Sequence, residues 1–147
     1  MNNIKYKRYY LNILNNLKTD SIFYKNSNIE YSYNDAFEFC IKLINFLKKK
    51  KIKKGTICTY SNKSFEMYAS IFPILISGFT WAPLSTSYPK NKIVEITKQI
   101  KPVLIITDKN LQDSLKVIKY KKINFDKINS EFVNSTKSTN KKIIKEK

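Results

Sequence analysis

Strand-like and helix-like apolar patterns alternate along residues 32–107, and this alternation is the strongest constraint on the fold. Three segments carry the β-branched and aromatic residues typical of strands: Ile57–Tyr60, Phe79–Ala82 and Val103–Thr107. The last is a continuous apolar run, which is typical of a strand buried on both faces. Helical patterns fill the two intervals between the strands. Strand, helix, strand, helix, strand with short links predicts an α/β fold, with a layered parallel or mixed sheet and flanking helices.

The helix before the first of these strands has a clear start. Ser32 and Asp35 form a capping box, S-x-x-D, in which each side chain can satisfy a backbone donor of the other. One apolar stripe follows at helical spacing: Phe37, Cys40, Ile41, Ile44 and Leu47. Upstream of the box, the sequence predicts a short helix over residues 4–18 and a hairpin formed by Ser21–Tyr24 and Ile29–Tyr33.

The segment Phe65–Ser77 is apolar on nearly every side, which predicts a helix buried on all its faces. Pro73 should bend this helix, and Gly78 should end it in a left-handed cap. Pro83–Pro89 is expected to be a loop. The longest apolar run here, Ile71–Ile76, is too short for a membrane span. The N-terminus also lacks the apolar run of a signal peptide, so we expect a cytoplasmic protein.

The pattern of regular elements stops after Ile128. Residues 129–147 are rich in Ser, Thr, Asn and Lys and contain few apolar side chains. Segments of this composition cannot bury enough apolar surface to balance the entropy of ordering. We therefore predict one domain over residues 1–128 and a disordered polar tail over residues 129–147.

The residue inventory excludes several kinds of active site. The chain has no His, so it can form neither a Ser-His-Asp triad nor an imidazole metal site. Its two glycines, Gly55 and Gly78, are too far apart for a glycine-rich phosphate loop. Cys40 and Cys58 cannot form a CxxC motif, and two cysteines indicate no disulfide framework. The sequence therefore assigns no catalytic, cofactor-binding or metal-binding residue.

The net charge of +17 rests almost entirely on lysine, since Arg8 is the single arginine. Lys, Asn, Ile and Tyr make up half of the chain, and this mixture is typical of AT-rich coding sequences. Nucleic-acid surfaces commonly use arginine, whose planar fork binds phosphates and guanines with two hydrogen bonds. The composition therefore argues against nucleic-acid binding, and we interpret the Lys48–Lys54 run as a solvated turn.

Three motifs between Tyr31 and Thr107 occur in the order and spacing of a known family. Tyr31-Ser-Tyr-Asn-Asp35 is similar to an extended T/S-Y-x-E-L piece that leads into a helix. Leu47, Ile52 and Gly55 match L-x-x-x-G-V-x-x-G-D, with Lys51 and Thr56 where Gly and Asp are usual. Leu75–Pro89 is similar to L-K-A-G-x-x-Y-V-P-L-D-P-x-x-P, with Ser85 and Thr86 in place of Asp-Pro. This region resembles the N-terminal part of the AMP-forming adenylate enzymes, which include acyl-CoA synthetases, luciferases and amino-acid adenylation domains.

The resemblance implies a partial N-terminal subdomain of the adenylate-forming fold, from a ligase that activates a fatty, aryl or amino acid with ATP. The acyl-adenylate would then be transferred to a thiol, either coenzyme A or carrier-protein phosphopantetheine. ATP and Mg²⁺ are expected for the full-length parent. The matched motifs are scaffold elements in the family, and its phosphate loop, a Ser/Thr/Gly-rich run before Pro-Lys-Gly, would come after Ile123–Ile128. We therefore expect an inactive fragment without bound cofactor, which a separately encoded remainder of the enzyme could complete.

The alternative hypothesis is a small basic, non-catalytic module that binds nucleic acid or a partner protein. The DNA downstream of the Lys147 codon discriminates between the two hypotheses. A Ser/Thr/Gly-rich loop encoded within about 40–60 codons would favour the ligase fragment, given the usual lengths of connections.

Overall fold

The computed structural model describes residues 19–133, together with Arg8, Asn12 and Ile13. The helix predicted over residues 4–18 therefore lies almost entirely outside the described residues. The strands are β1 Ile22–Lys25, β2 Glu30–Ser32, β3 Thr56–Tyr60, β4 Thr80–Leu84, β5 Leu104–Thr107 and β6 Lys122–Asn124. The helices are α1 Tyr33–Lys49, α2 Phe65–Ile76, α3 Lys90–Ile100 and α4 Phe125–Val133, with a 3₁₀ helix at Lys109–Leu115.

Four strands form one parallel sheet in the order β4-β3-β5-β6, and β1 pairs with β2 as an antiparallel hairpin. The α/β class, the parallel sheet and the hairpin predicted from the sequence are confirmed. The fourth strand, β6, was not predicted, because it spans three residues of which only Ile123 is buried. So short a run carries no detectable alternation of apolar and polar residues.

Helices cover both faces of the sheet. On one face α1, α2 and α4 pack against Ile57, Leu104 and Ile106. On the other face α3 and the 3₁₀ helix pack against Cys58 and Ile105. Successive strand residues point to opposite faces, so a strand covered on both sides must be apolar throughout. All four residues of β5 are buried, which confirms the prediction made from its continuous apolar run.

The start of α1 forms as predicted. The Asp35 backbone N–H donates to Ser32 Oγ at 3.1 Å, and the Ser32 N–H donates to Asp35 Oδ2 at 2.7 Å. The buried face is wider than the predicted stripe, because the hairpin, α2 and α4 all contact this helix. Seven residues are buried: Ala36, Phe39, Cys40, Leu43, Ile44, Phe46 and Leu47. The predicted members Phe37 and Ile41 are half-buried at its border.

Helix α2 begins at a Ser64 cap, whose Oγ accepts from the Met67 N–H at 3.3 Å. It ends at Ile76, and Gly78, directly after the Ser77 C-cap, has φ +78°. The Gly78 N–H bonds to the Leu75 carbonyl and the Phe79 N–H to the Ile74 carbonyl, a Schellman motif that confirms the predicted cap. The prediction of burial on all faces is wrong: Tyr68 is 37% exposed and Leu75 36% exposed. The Tyr24 ring of the hairpin lies 6.1 Å from the Tyr68 ring and covers Tyr68 only in part.

Strand β4 extends through Pro83 and Leu84, two residues that were predicted to begin a loop. This strand lies at an edge of the sheet, where a proline without an N–H removes no ladder bond. Pro83 aligns with Thr59 of β3, and Leu84 aligns with Tyr60.

Helix α4 crosses the predicted domain boundary between residues 128 and 129. Ile128 is fully buried, and Glu131 forms an ion pair with Lys50 at 2.9 Å. The hydrogen bond from Lys50 holds the pKa of Glu131 below its usual value. The first five residues assigned to the tail are therefore helical, because Ile128 and Glu131 attach α4 to the core and to the end of α1. Residues 134–147 lie outside the described part of the chain.

None of the helices in the described residues is both long enough and apolar enough to cross a membrane.

Candidate functional site

A candidate site lies at the carboxyl ends of the parallel strands. From β3 the chain passes to β4 on one side, and it then returns past β3 to β5. The strand order thus reverses between β3 and β5. In open α/β sheets, ligands bind in the crevice outside the carboxyl ends of the strands at such a switch point.

One carboxylate, that of Asp108, lies in this crevice. It directly follows β5 and accepts three hydrogen bonds from the loop after β3. Ser61 Oγ and the Asn62 backbone N–H donate to its Oδ2 at 2.8 and 2.9 Å, and Ser64 Oγ approaches its Oδ1 at 3.2 Å. Ser61 and Ser64 also lie within hydrogen-bond distance of each other, at 3.0 Å. The Asp108 carboxylate and the hydroxyls of Ser61 and Ser64 are therefore hydrogen-bonded within one network at the switch point.

A shallow cleft of about 580 Å³ lies beside this network. Its lining consists of Glu66, Asp108, Lys109, Asn110, Phe125 and Asp126. Within the residues that the structure describes, no group of three or more His, Cys, Asp or Glu side chains could hold a metal ion. The lining of the cleft combines three carboxylates with one ammonium group and one side-chain amide.

Neither glycine provides a phosphate-binding turn. A Cβ at Gly55 would lie 2.7 Å from Val103 Cγ1, so this glycine serves the close contact between the segments preceding β3 and β5. Gly78 caps α2. Both lie at the amino ends of strands, on the opposite edge of the sheet from the crevice. Neither glycine therefore supplies the loop of backbone N–H groups close to the phosphates that a triphosphate needs.

Burial makes both thiols poor nucleophiles. It raises the pKa of Cys40 to about 12 and that of Cys58 to about 11. A nucleophilic cysteine reacts as the thiolate, which these surroundings disfavour. The two thiols therefore contribute to packing in this structure.

The Lys48–Lys54 run has structural contacts at two of its positions. Lys50 pairs with Glu131, and Lys54 donates to the Ser77 carbonyl while its Nζ lies 4.6 Å from the centre of the Phe79 ring. Lys51 and Lys53 are exposed.

The sequence assigned no site residue, and it missed the Asp108 network. No role was predicted from the sequence for Ser61–Ser64 or for Asp108. A usable signal was present, since two polar segments directly follow two strands whose carboxyl ends must meet in a parallel sheet. Trp81 is half-buried and donates from Nε1 to Thr59 Oγ1 at 3.1 Å.

The fold and this edge define an open, doubly wound α/β domain with its polar crevice at the carboxyl ends of the strands. The sequence profile of the AMP-binding enzymes matches residues 15–146, and the chain belongs to this family.

Curated relatives and solved structures agree with this assignment. Tyrocidine synthase 3 of Brevibacillus parabrevis is 27% identical over 86 residues, which are 58% of this chain and 1% of the relative. Enterobactin synthase component F of Escherichia coli (strain K12) is 27% identical over 78 residues, 52% of this chain and 6% of the relative. The nonribosomal peptide synthetase FmoA3, solved bound to α-methyl-L-serine-AMP, superposes with a TM-score of 0.70 and 16% identity over 82% of this chain. The chain covers 14% of that structure, so it spans a small part of each of these proteins.

Proposed function

We propose that this chain is part of an acid-activating, AMP-forming ligase, in which it supplies the N-terminal portion of the adenylate-forming domain. The family match over residues 15–146 carries this proposal. The parallel sheet and the likeness to FmoA3 support it at the level of the fold. In the ligase reaction a carboxylate attacks the α-phosphorus of ATP and pyrophosphate leaves. The thiol then loses its proton and attacks the acyl carbon of the acyl-adenylate, which forms a thioester and releases AMP.

The substrate we propose is an amino or aryl acid, and the acceptor is a thiol on coenzyme A or on a carrier protein. The synthetases that resemble this chain support the choice, since FmoA3 was solved with an aminoacyl adenylate. ATP, with Mg²⁺, would be the energy source of the whole ligase.

In this proposal the described residues act as scaffold and carry no catalytic group. Asp108 is occupied by three hydrogen bonds, both thiols are buried and protonated, and both glycines have structural positions. Developing charge at phosphorus requires preorganised cations and N–H donors. We propose that residues beyond this chain supply them.

ATP–pyrophosphate exchange tests the proposal. The 147-residue chain should give no exchange above the protein-free blank with a panel of amino and aryl acids, and calorimetry should detect no ATP binding. The chain extended through the codons downstream of Lys147 should exchange with at least one acid, and omission of Mg²⁺ should abolish the exchange. Mg²⁺-dependent exchange by the short chain would contradict the scaffold role. If the downstream sequence encodes a Ser/Thr/Gly-rich loop before Pro-Lys-Gly and the extended chain still exchanges with no acid, the ligase assignment is contradicted.

A further inference from the structure

The two edges of the parallel sheet differ in charge, and the topology gives the reason. Helices α1 to α4 all begin near the carboxyl ends of strands or beside the hairpin, and they all end near the amino ends of strands. Acids are favoured at helix starts and cations at helix ends by the helix dipole. Asp35, Glu66 and Asp126 lie in first turns, and Lys48 and Lys49 lie in the last turn of α1.

The amino edge carries many more lysines than the two in the last turn of α1. The segment 48–54 contains six lysines, and four more precede or begin β5 and β6: Lys101, Lys119, Lys121 and Lys122. The strand register joins these segments, because Val103 N–H bonds to Thr56 O and Ile105 N–H bonds to Lys121 O. In the described residues two acids pair with lysines of this edge: Glu131 with Lys50, and Asp113 with Lys116.

Most of these ammonium groups face solvent. Lys51, Lys53 and Lys101 are exposed. Lys51 and Lys101 have positive φ angles, Lys51 in a turn after α1 and Lys101 as the C-cap of α3. Beside this surface, in the segment leading into β6, Val117 is 59% exposed. The edge therefore combines dense positive charge with an exposed apolar side chain.

We infer that the amino edge, defined here by residues 48–54, 101 and 116–122, is a docking surface for an anionic lipid bilayer. A bilayer requires only clustered point charges over a broad area, which lysine provides, and each lysine near the surface contributes about 1 kcal/mol, or about a fivefold change in affinity. Base readout in nucleic acids uses arginine, and single strands use exposed aromatic platforms. The described residues of this edge contain no arginine, and their one aromatic side chain, Tyr120, is half-buried against the core. The contact is peripheral, and Val117 adds a small apolar contribution.

Vesicle flotation tests this inference with the full chain. Vesicles of phosphatidylcholine containing about 30% phosphatidylserine should bind the chain at low salt and release it at about 0.5 M NaCl, where exposed charges are screened. Vesicles of phosphatidylcholine alone should not bind it. The variant Lys51→Glu/Lys53→Glu/Lys101→Glu should bind about a hundredfold more weakly.

The matched control is Lys63→Glu/Lys90→Glu/Lys109→Glu, which changes net charge equally at exposed positions on the carboxyl edge. It should retain most of the vesicle binding. Urea midpoints close to the parent's would show that both variants fold. An equal loss of vesicle binding in both variants would overturn the inference, because net charge alone would then explain the binding. Duplex DNA binding that depends on the amino edge, without vesicle binding, would also overturn it.

Discussion

The Cys40 thiol on α1 lies 3.4 Å from the carbonyl oxygen of Ala69 on α2, within the buried contact between the two helices. Pro73, four residues after Ala69, lacks the N–H that would normally bond to this carbonyl. The thiol of a neighbouring helix thus replaces a backbone donor that proline removes. This contact explains how a proline is accommodated inside α2, which continues through Ile76.

Replacing Cys40 tests this relationship. Cys40→Ala should lower the free energy of unfolding by about 1–3 kcal/mol, because the buried carbonyl loses its donor and a small cavity forms. Cys40→Ser keeps a donor and should cost less. In a Pro73→Ala background the helix can supply its own N–H, so the cost of Cys40→Ala should fall by about 1 kcal/mol. Urea unfolding of the four-member cycle measures this coupling, and a cost unchanged by Pro73→Ala would contradict the contact.

The two thiols should also make stability depend on alkaline pH. An exposed thiol titrates near 9.0, whereas burial raises the pKa of Cys58 to about 11 and that of Cys40 to about 12. Between pH 9 and pH 12 the thiols of the unfolded chain lose their protons at a lower pH than those of the folded chain. The thiol contribution to stability is therefore complete below pH 9 and declines as the pH rises towards 12. Because Lys and Tyr titrate there too, the parent must be compared with Cys40→Ser/Cys58→Ser. The double variant should show a shallower decline in urea midpoint, and identical slopes would contradict the prediction.

Gly55 should tolerate no side chain. A Cβ there would approach Val103 Cγ1 to 2.7 Å, and the residue has φ +154°. Gly55→Ala should destabilise the fold by about 1–3 kcal/mol through this clash and the unfavourable backbone angle. Gly78→Ala provides the comparison, since its nearest contact is the flexible Lys54 Nζ at 3.0 Å. It should cost less, about 1 kcal/mol. Val103→Ala should relieve part of the cost of Gly55→Ala and none of the cost of Gly78→Ala.

We predict that Asp108 stabilises the carboxyl edge of the sheet and takes no part in catalysis. Asp108→Ala removes the acceptor for Ser61, Asn62 and Ser64 and should cost about 1–3 kcal/mol. Asp108→Asn keeps one carbonyl acceptor and should cost less. Asp113→Ala is the control, because its carboxylate is 84% exposed and pairs only with exposed Lys116, so the expected cost is below about 0.5 kcal/mol. Equal losses for Asp108→Ala and Asp113→Ala in urea unfolding would show that the network adds no stability.

The polar tail remains a prediction for residues 134–147. Limited trypsin digestion should cut there first, at Lys137, Lys141 or Lys142, because exposed polar termini are preferred sites. Cleavage at Lys127 should follow only on unfolding, because Ile128 is fully buried in the core. Mass spectrometry of early products measures the order, and early loss of α4 would contradict its attachment.

The sequence by itself determined the elements that depend on local chemistry. The Ser32–Asp35 capping box, the Gly78 cap and the continuous apolar run of β5 each follow from residues within a few positions of one another. Contacts between distant segments were decided only in the tertiary structure. The network around Asp108 joins residues more than forty positions apart, β6 is too short to show a period, and α4 continues past residue 128 because Lys50 and the core hold it. Tyr68 and Leu75 of α2 stay exposed for the same reason, since whether an apolar face is covered depends on its neighbours and not on its own residues.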